Sequence, residues 1–528
     1  MAKRKRDEAH RSEATTKASK KTAKISAQPD TASRSIKTTP RHAGAVVNGS
    51  NGLGKRPNGT SLQASKTTST SESPARSEIL RTQKHADVKS DFPTIQIITG
   101  SYERVLHGIS ANISLEDDSP KATFADSFLF NAHASAVRCL ALSPMPEDSS
   151  QGIYLATGGS DERVNVYSLS ASPMPEADSK GRKVPSMPSL GPNKVNENPM
   201  NRELGTLVQH SSSVTALHFP SRSKLLSASE DNTIAVTRVR DLEVVSTVKA
   251  PRPKVAGQAS GDSTDVGITP AGVNDFAVHP SMKLMVSVGR GEKSMRLWNL
   301  VTGKKAGVLN FDRAILQAVK EGKYSHGEGR KIKWNRDGTE FAIAFERGVV
   351  VFGQDSKPKC ALVPQRLTKV HQIDYFTVDQ EKQLLAVSTE DGKVLFFDPT
   401  QAPESQADIP VLSPVAYMGG EKQSIRNRIK DFQILDLAKH GFPGYLLVVG
   451  CSNGDVRLLM LNKSELLKPI AGDGLVGTAV KDVYGTGSRI TCLVAFVMLP
   501  PHDIEGGLSE AESALGSEVD SEDSSEGE

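Results

Sequence analysis

The sequence predicts an all-β chain folded as a seven-bladed β-propeller, closed by pairing N- and C-terminal strands and flanked by disordered tails. Three observations predict it. A strand–turn–strand pattern returns six times along the middle of the chain, and two half-patterns at either end of that region complete one another. Outside it the composition turns polar and charged, with opposite signs at the two ends.

The unit is a short alternating apolar strand, a turn, a second strand ending in small residues, a tight acidic or Gly-bearing turn, and a third alternating strand. Its clearest copy runs Ala136 to Leu142, Tyr154 to Gly159 and Ser160 to Tyr167. The next has Val214 to Phe219, Leu225 to Ala228 and Glu230 to Val236, and the third closes on Met295-Arg296-Leu297-Trp298-Asn299. Three more degenerate copies contain Ile332-Lys333-Trp334 with Gly348 to Phe352, Leu384 to Val387 with Glu390 to Asp398, and Ile429 to Phe432 with Tyr445 to Val449 and Gly454 to Leu459. Equivalent third strands lie roughly 45 to 70 residues apart, longer than an uninterrupted propeller blade. The excess is read as loop insertions at Pro173–Asn201, Pro251–Thr269 and Gln401–Gln423, rich in Pro, Gly, Ser and Asn.

Six copies leave two pieces. Gly100 to Gly108 reads as a turn and third strand with no first strand before it, and Arg489 to Phe496 as a first strand with nothing after it. Joined, they make a seventh blade and remove both free sheet edges. The domain organisation is therefore a basic tail over 1–91, a propeller over 92–501 and an acidic tail over 502–528. The first segment is rich in Lys, Arg, Ser and Thr; the last has no Lys or Arg at all. Neither buries enough apolar surface to offset the entropy of ordering its backbone.

The four cysteines, Cys139, Cys360, Cys451 and Cys492, show no short Cys–Cys spacing, which excludes a zinc ribbon and argues against a secreted disulfide framework. The N-terminus has no apolar stretch for a signal peptide, and runs such as Ile490 to Leu499 are too short to span a bilayer. The chain reads as soluble and intracellular, with no membrane contact.

These copies have the form of WD repeats, and the repeat region resembles the family of the p21-activated-kinase-interacting protein and its fungal counterpart, named for maintenance of a killer virus. The resemblance rests on Gly100–Gly108 (GSYERVLHG), Asn131–Val137 (NAHASAV), Leu284–Gly303 (LMVSVGRGEKSMRLWNLVTG), Asn427–Phe432 (NRIKDF) and Arg489–Phe496 (RITCLVAF), in order along about 400 residues. It implies a role in nucleolar assembly of the large (60S) ribosomal subunit and rRNA processing. It also implies negative regulation of a p21-activated kinase. The long N-terminal tail and the inserted loops depart from the family pattern, so partner contacts there are not carried over.

Several groups of residues invite a functional reading. His133 with Asp161, and His210 with Asp231, sit where WD blades hydrogen-bond neighbouring strands; a catalytic dyad is the alternative, but a device that recurs blade by blade is structural. Gly49 to Lys55 matches most of a phosphate-binding loop, yet Arg56 replaces the Ser or Thr that would reach magnesium and Pro57 follows, so no nucleotide site is expected. Lys3, Arg4, Lys5 and Arg6 form a compact basic cluster suited to nuclear import. Ser517, Ser521 and Ser524 precede acidic residues and are candidate phosphorylation sites.

The first strand of each propeller blade lines the central channel. The residue leading into it is read as Lys331, Lys369, Arg428 and Arg489 in four successive blades, and as Ala136, Ser213 and Gly272 in the other three. A basic arc on half of one face attracts an anionic partner, ribosomal RNA phosphate or an acidic protein segment. With no nucleophile motif, metal set or complete nucleotide loop, neither an enzyme nor a cofactor is expected. The expected protein is a nuclear, chiefly nucleolar, scaffold, monomeric within a larger complex of pre-60S particle proteins and rRNA, with no small-molecule substrate. The competing reading is an adaptor that restrains a p21-activated kinase.

Overall fold

The computed structural model describes residues 93–116, 119–147, 151–173, 198, 200–251, 272–322, 325–379, 382–403, 408–467 and 473–500. The tails, the near-match at 49–55, the Lys3–Arg6 cluster and the three C-terminal serines lie outside them.

The described chain opens with β1 (Ile95–Ser101), β2 (Val105–Glu116) and β3 (Ser119–Asn131). Blade 1 follows as β4 (Val137–Leu142), β5 (Ile153–Gly159), β6 (Val164–Leu169) and β7 (Arg202–Leu207). Blade 2 is β8 (Val214–Ser221) to β11 (Glu243–Lys249), with β9 (Lys224–Ser229) and β10 (Thr233–Arg238) between. Blade 3 comprises β12 (Val273–Val278), β13 (Leu284–Gly289), β14 (Ser294–Asn299) and β15 (Lys304–Asn310). Blade 4 comprises β16 (Lys331–Trp334), β17 (Glu340–Ala344), β18 (Val349–Gly353) and β19 (Pro358–Leu362). Blade 5 holds β20 (Val370–Thr377), β21 (Gln383–Thr389) and β22 (Lys393–Phe397). Between β22 and blade 6, β23 (Val411–Leu412) adds in parallel to β19 as a fifth strand of blade 4, and β24 (Ala416–Gly419) becomes the outer strand of blade 5. Blade 6 is β25 (Ile429–Asp436), β26 (Gly444–Cys451), β27 (Asp455–Asn462) and β28 (Thr478–Gly485). The last strand, β29 (Ile490–Val497), pairs antiparallel with β1 and makes the seventh sheet, in the order β29-β1-β2-β3. The fold is a seven-bladed β-propeller.

The closing blade corrects one detail of the sequence expectation. The N-terminal piece supplies three strands, with Gly100 inside β1 and not in a turn. Every residue of β1 is buried, so it carries no alternation to read. The stretch from Gln401 to Gln423, read as a loop insertion, also contributes β23 and β24.

Burial follows position in the blade. Central strands are covered on both faces by neighbouring blades, so β6 and β26 are buried at every residue. Outer strands are wet: six of the seven residues of β11 are exposed. The core is accordingly a set of inter-blade layers. One joins Ile98 and Phe496 of the closing blade to Leu155 and Tyr167 of blade 1, and another joins Val286 and Met295 of blade 3 to Phe341 and Phe352 of blade 4. Each fully buried side chain of this size contributes about 1.5–3 kcal/mol, so every inter-blade layer stabilises the ring.

At the channel mouth most inner strands carry a β-bulge just after their first residue, seen as register shifts at Val137/Cys139, Val214/Ala216, Val273/Asp275, Val370/Ile373 and Ile429/Asp431, with an equivalent at Ser101 opposite Ile490. Two of the residues facing such a bulge are glycines for a steric reason. A Cβ on Gly100 would stand 2.7 Å from Cys492 Sγ and from Val137 Cγ1; on Gly158, one blade along, it would stand 2.7 Å from Cys139 Sγ and Val214 Cγ1. Gly100→Ala and Gly158→Ala are each expected to destabilise the propeller by about 1–3 kcal/mol. A urea-unfolding midpoint unchanged from wild type would refute the steric account.

Candidate functional site at the channel mouth

The His–Asp pairs occupy the seams between strands, not a cleft. His133 and His210 have fully buried side chains. His133 Nδ1 donates to Asp161 at 2.9 Å and its Nε2 accepts from the Thr157 hydroxyl at 2.8 Å, while Asp161 also takes the Ala134 amide at 2.9 Å. In blade 2, His210 Nδ1 lies 3.3 Å from Asp231 and Nε2 lies 2.8 Å from the Ser227 hydroxyl. Burial works against charge on Asp231, but hydrogen bonds from His210, Thr233 and the Ser211 amide outweigh it and hold the carboxyl far below its ordinary range. Variants of the same device recur. Trp298 Nε1 donates to the Ser287 hydroxyl at 2.8 Å in blade 3, and in the closing blade His107 and Tyr484 both meet the Asp126 carboxylate. In blades 1 to 3 each polar group ties the second strand to the third strand or to the incoming loop, and in the closing blade the cluster ties the third strand to the fourth and to β28 of blade 6. The closing-blade version escaped the sequence reading because its third member comes from β28, more than 350 residues away.

The lead-in residues are defined by a shared hydrogen bond. The carbonyls of Ala136, Ser213, Gly272, Lys369, Arg428 and Arg489 each accept an amide from the residue just beyond the second strand, at 2.8–3.0 Å. The expected position of Lys331 is corrected by the cross-blade bonds. Thr491 and Thr215, at bulges, donate to the carbonyls of Val137 and Val273 at the start of the next blade; Asn274, at the equivalent bulge, donates to Gly329. Gly329 therefore stands where Val137 and Val273 stand, and the lead-in residue of blade 4 is Glu328. Lys331 lies three residues deeper, with its ammonium 3.9 Å from Asp275 inside the channel. Blade 4 misled the alignment because it lacks the apolar residue that opens the other inner strands.

The mouth is thus polarised. On the side of blades 5 to 7 stand Lys369, Arg428 and Arg489, joined by residues at or beside the bulges: His371, Lys430 and, from blade 4, Arg330. Arg428 pairs with Glu390 at 3.2 Å and Arg330 with Glu346 at 3.7 Å; among the described residues Lys369 and Lys430 have no ion-pair partner. Arg489 lies over the exposed Tyr102 ring at 5.9 Å. Burial, then the positive charges of Lys430, Lys369, Arg428 and Arg330, push the His371 imidazole down to about 4, so it is neutral. Burial, then the positive charges of Arg428, Arg489 and Lys369, lower Lys430, with Glu390 opposing. Sequence reasoning missed His371, Lys430 and Arg330, since only the bulge aims them at the mouth. The facing half carries Glu230, bridged to Arg290 at 3.1 Å and Arg138 at 3.7 Å, and Glu328, which accepts the Gly291 amide at 2.6 Å.

Below the mouth the channel is a polar cavity of about 730 Å³. Its walls hold paired charges: Lys331 with Asp275, and Lys333 with Asp374 at 3.8 Å. Asp431 takes the Leu493 amide at 3.0 Å and the Gln372 side chain at 3.1 Å, and burial raises its carboxyl above the ordinary range despite them. Cys139 and Cys492 line the wall as free thiols, like Cys360 and Cys451 elsewhere; burial pushes the Cys139 thiol up to about 12. Among the described residues no group of three or more His, Cys, Asp or Glu has metal-binding geometry.

A closed ring of four-stranded blades, with His–Asp seams and a charged channel mouth, defines a WD-repeat propeller, and the chain carries such repeats: residues 126–168 and 201–236 match the family described as "WD domain, G-beta repeat". Along about three quarters of its length it is similar to "Protein MAK11" of Saccharomyces cerevisiae, 29% identical, covering 76% of this chain and 83% of that one. It is also similar to "p21-activated protein kinase-interacting protein 1-like" of Danio rerio (24% identical, 76% of this chain and 81% of that one) and to "p21-activated protein kinase-interacting protein 1" of Homo sapiens (22%, 80% and 84%). These are the family that the sequence resembles.

The neutral histidines carry a pH dependence. His133 is lowered, by burial first, and His371 is lowered to about 4. A group depressed on folding binds its proton more readily when unfolded. Its contribution is therefore complete above the unfolded value near 6.5 and is lost as pH falls from there toward 4. The His371→Gln variant should lose less stability than wild type between pH 7 and pH 5 in urea titrations; parallel losses would contradict the assignment.

Proposed function

We propose that this chain is a non-enzymatic scaffold in nucleolar assembly of the large ribosomal subunit and rRNA maturation, monomeric within a larger pre-ribosomal complex. The observation that carries the reading is the cationic half of the channel mouth. Lys369, Arg428, Lys430 and Arg489 converge on one side of a rigid rim, and two of them, Lys369 and Lys430, have no ion-pair partner among the described residues. Such a cluster costs the free protein electrostatic repulsion that an anionic partner relieves. The family resemblance supports the ribosomal setting, and the basic Lys3–Arg6 cluster supports a nuclear one. A second reading, restraint of a p21-activated kinase, is favoured by the printed names of the relatives. Both readings use the propeller as a binding platform, and fold alone does not choose between them.

Depletion of the protein, followed by sucrose-gradient sedimentation, is expected to lower free large subunits, with the protein itself riding on their precursors. An unchanged profile with the protein at the top of the gradient would sink the assembly role and bring the kinase reading forward. In the same assay the Lys369→Glu/Arg428→Glu/Arg489→Glu variant should weaken particle association by about tenfold or more. Lys331→Glu tests a different group, because its charge sits beside Asp275 within the channel.

A further inference from the structure

Resting on the proposed role as a binding platform, we infer that the channel mouth is a docking site for an acidic polypeptide segment of a partner protein, one carboxylate of which enters between Lys369, His371 and Lys430. The chemistry of the mouth selects a peptide over nucleic acid on three grounds. First, its charge is mixed. Glu346 and Glu390 stand among the cations, and Glu230 and Glu328 occupy the facing half. A phosphate backbone, negative at every nucleotide, meets those carboxylates along its whole path, whereas a peptide presents discrete acids separated by neutral residues and backbone amides.

Second, the site is concave and polar. The mouth opens into a cavity of about 730 Å³, on a scale that takes side chains and not a nucleic-acid helix. His371 Nε2 and Arg330 Nε are buried there without a hydrogen-bond partner among the described residues. Buried donors of this kind call for an acceptor, and a carboxylate provides two oxygens. The neutral His371 donates without adding to the repulsion among its neighbours.

Third, among the described residues the rim offers a single strand one aromatic ring to stack on. Tyr102 is the one large aromatic side chain strongly exposed among the described residues, and Arg489 lies over its ring.

The last described residues leave the propeller at the end of the channel opposite the mouth. β29 runs from the mouth at Ile490 to the far end of the channel at Val497. Beyond it, the Leu499 amide donates to the Ala171 carbonyl and the Ser172 hydroxyl to Pro500, which hold the chain against the far side of blade 1. A partner segment in trans meets the mouth without any path round the ring from Pro500.

The test is fluorescence anisotropy of a labelled peptide of alternating Glu and Ser with the full chain, using an oligouridylate of equal length and a Lys–Ser peptide as comparisons. The Glu–Ser peptide is expected to bind. Lys369→Glu/Lys430→Glu should weaken it by about tenfold or more, and Lys369→Gln/Lys430→Gln by less. Lys305→Glu, on the exposed outer strand β15, should leave binding unchanged. The Gln variant keeps the test decisive if charge reversal impairs folding. Equal peptide binding by wild type and the Gln variant, or binding of the oligouridylate in place of the peptide, overturns the proposal. A wild type that fails to bind the peptide yet co-sediments with pre-ribosomes would sink this inference alone; intact peptide binding without co-sedimentation would sink the assembly role alone.

Discussion

The rest of the ring depends on the pairing of β1 with β29. An open array of blades leaves two sheet faces and two edges uncovered, and its end blades have nothing to pack against. Here strands from the two ends of the propeller region share one sheet, in register from Ile95 opposite Val497 to Gly100 opposite Cys492. The Tyr102 amide donates to Arg489 and the Met498 amide to Thr94, so both ends of the joint are fastened. Thr491 donates to Gly100 within the sheet and to Val137 in the next blade, coupling the closure directly to blade 1.

Closure also fixes which groups face the channel. Seven inner strands converge on one axis, and the bulges carried by six of them turn extra side chains toward the mouth. Where that residue is Thr491, Thr215 or Asn274, it reaches the neighbouring blade and knits the ring. Where it is Arg330 or Lys430, it adds charge to the rim. One backbone device therefore serves cohesion on one arc and electrostatics on the other, according to side chain alone. The small residues opposite the bulges, Gly100 and Gly158, are the steric condition for blades to approach this closely.

The charge pattern divides by depth. Within the channel, Lys331 and Asp275, and Lys333 and Asp374, neutralise one another in pairs. At the rim the match is incomplete on the side of blades 5 to 7. The seams between strands, built on His133, His210 and Trp298, are hydrogen-bonded internally and hold the blades.

The sequence by itself determined the number of blades and the closure, because buried strands with period-two patterning and tight Asp or Gly turns leave local signatures, and two half-patterns add to one. It also determined the role of His133 and His210, because a recurring pair at a fixed place in a repeat signals structure. The outermost strands were illegible: β11 and β15 are wet on most positions and carry little apolar pattern. β1 was misassigned for the opposite reason, being buried at every residue. Only the tertiary structure decided the make-up of the mouth. Register across a bulge and across blades is set by contacts between residues far apart in the chain, and a slip of three residues in blade 4 exchanges Glu328 for Lys331. Lys369, Arg428 and Arg489 could be read from their place before an apolar strand. Their convergence with His371, Lys430 and Arg330 depends on ring geometry that no local pattern encodes.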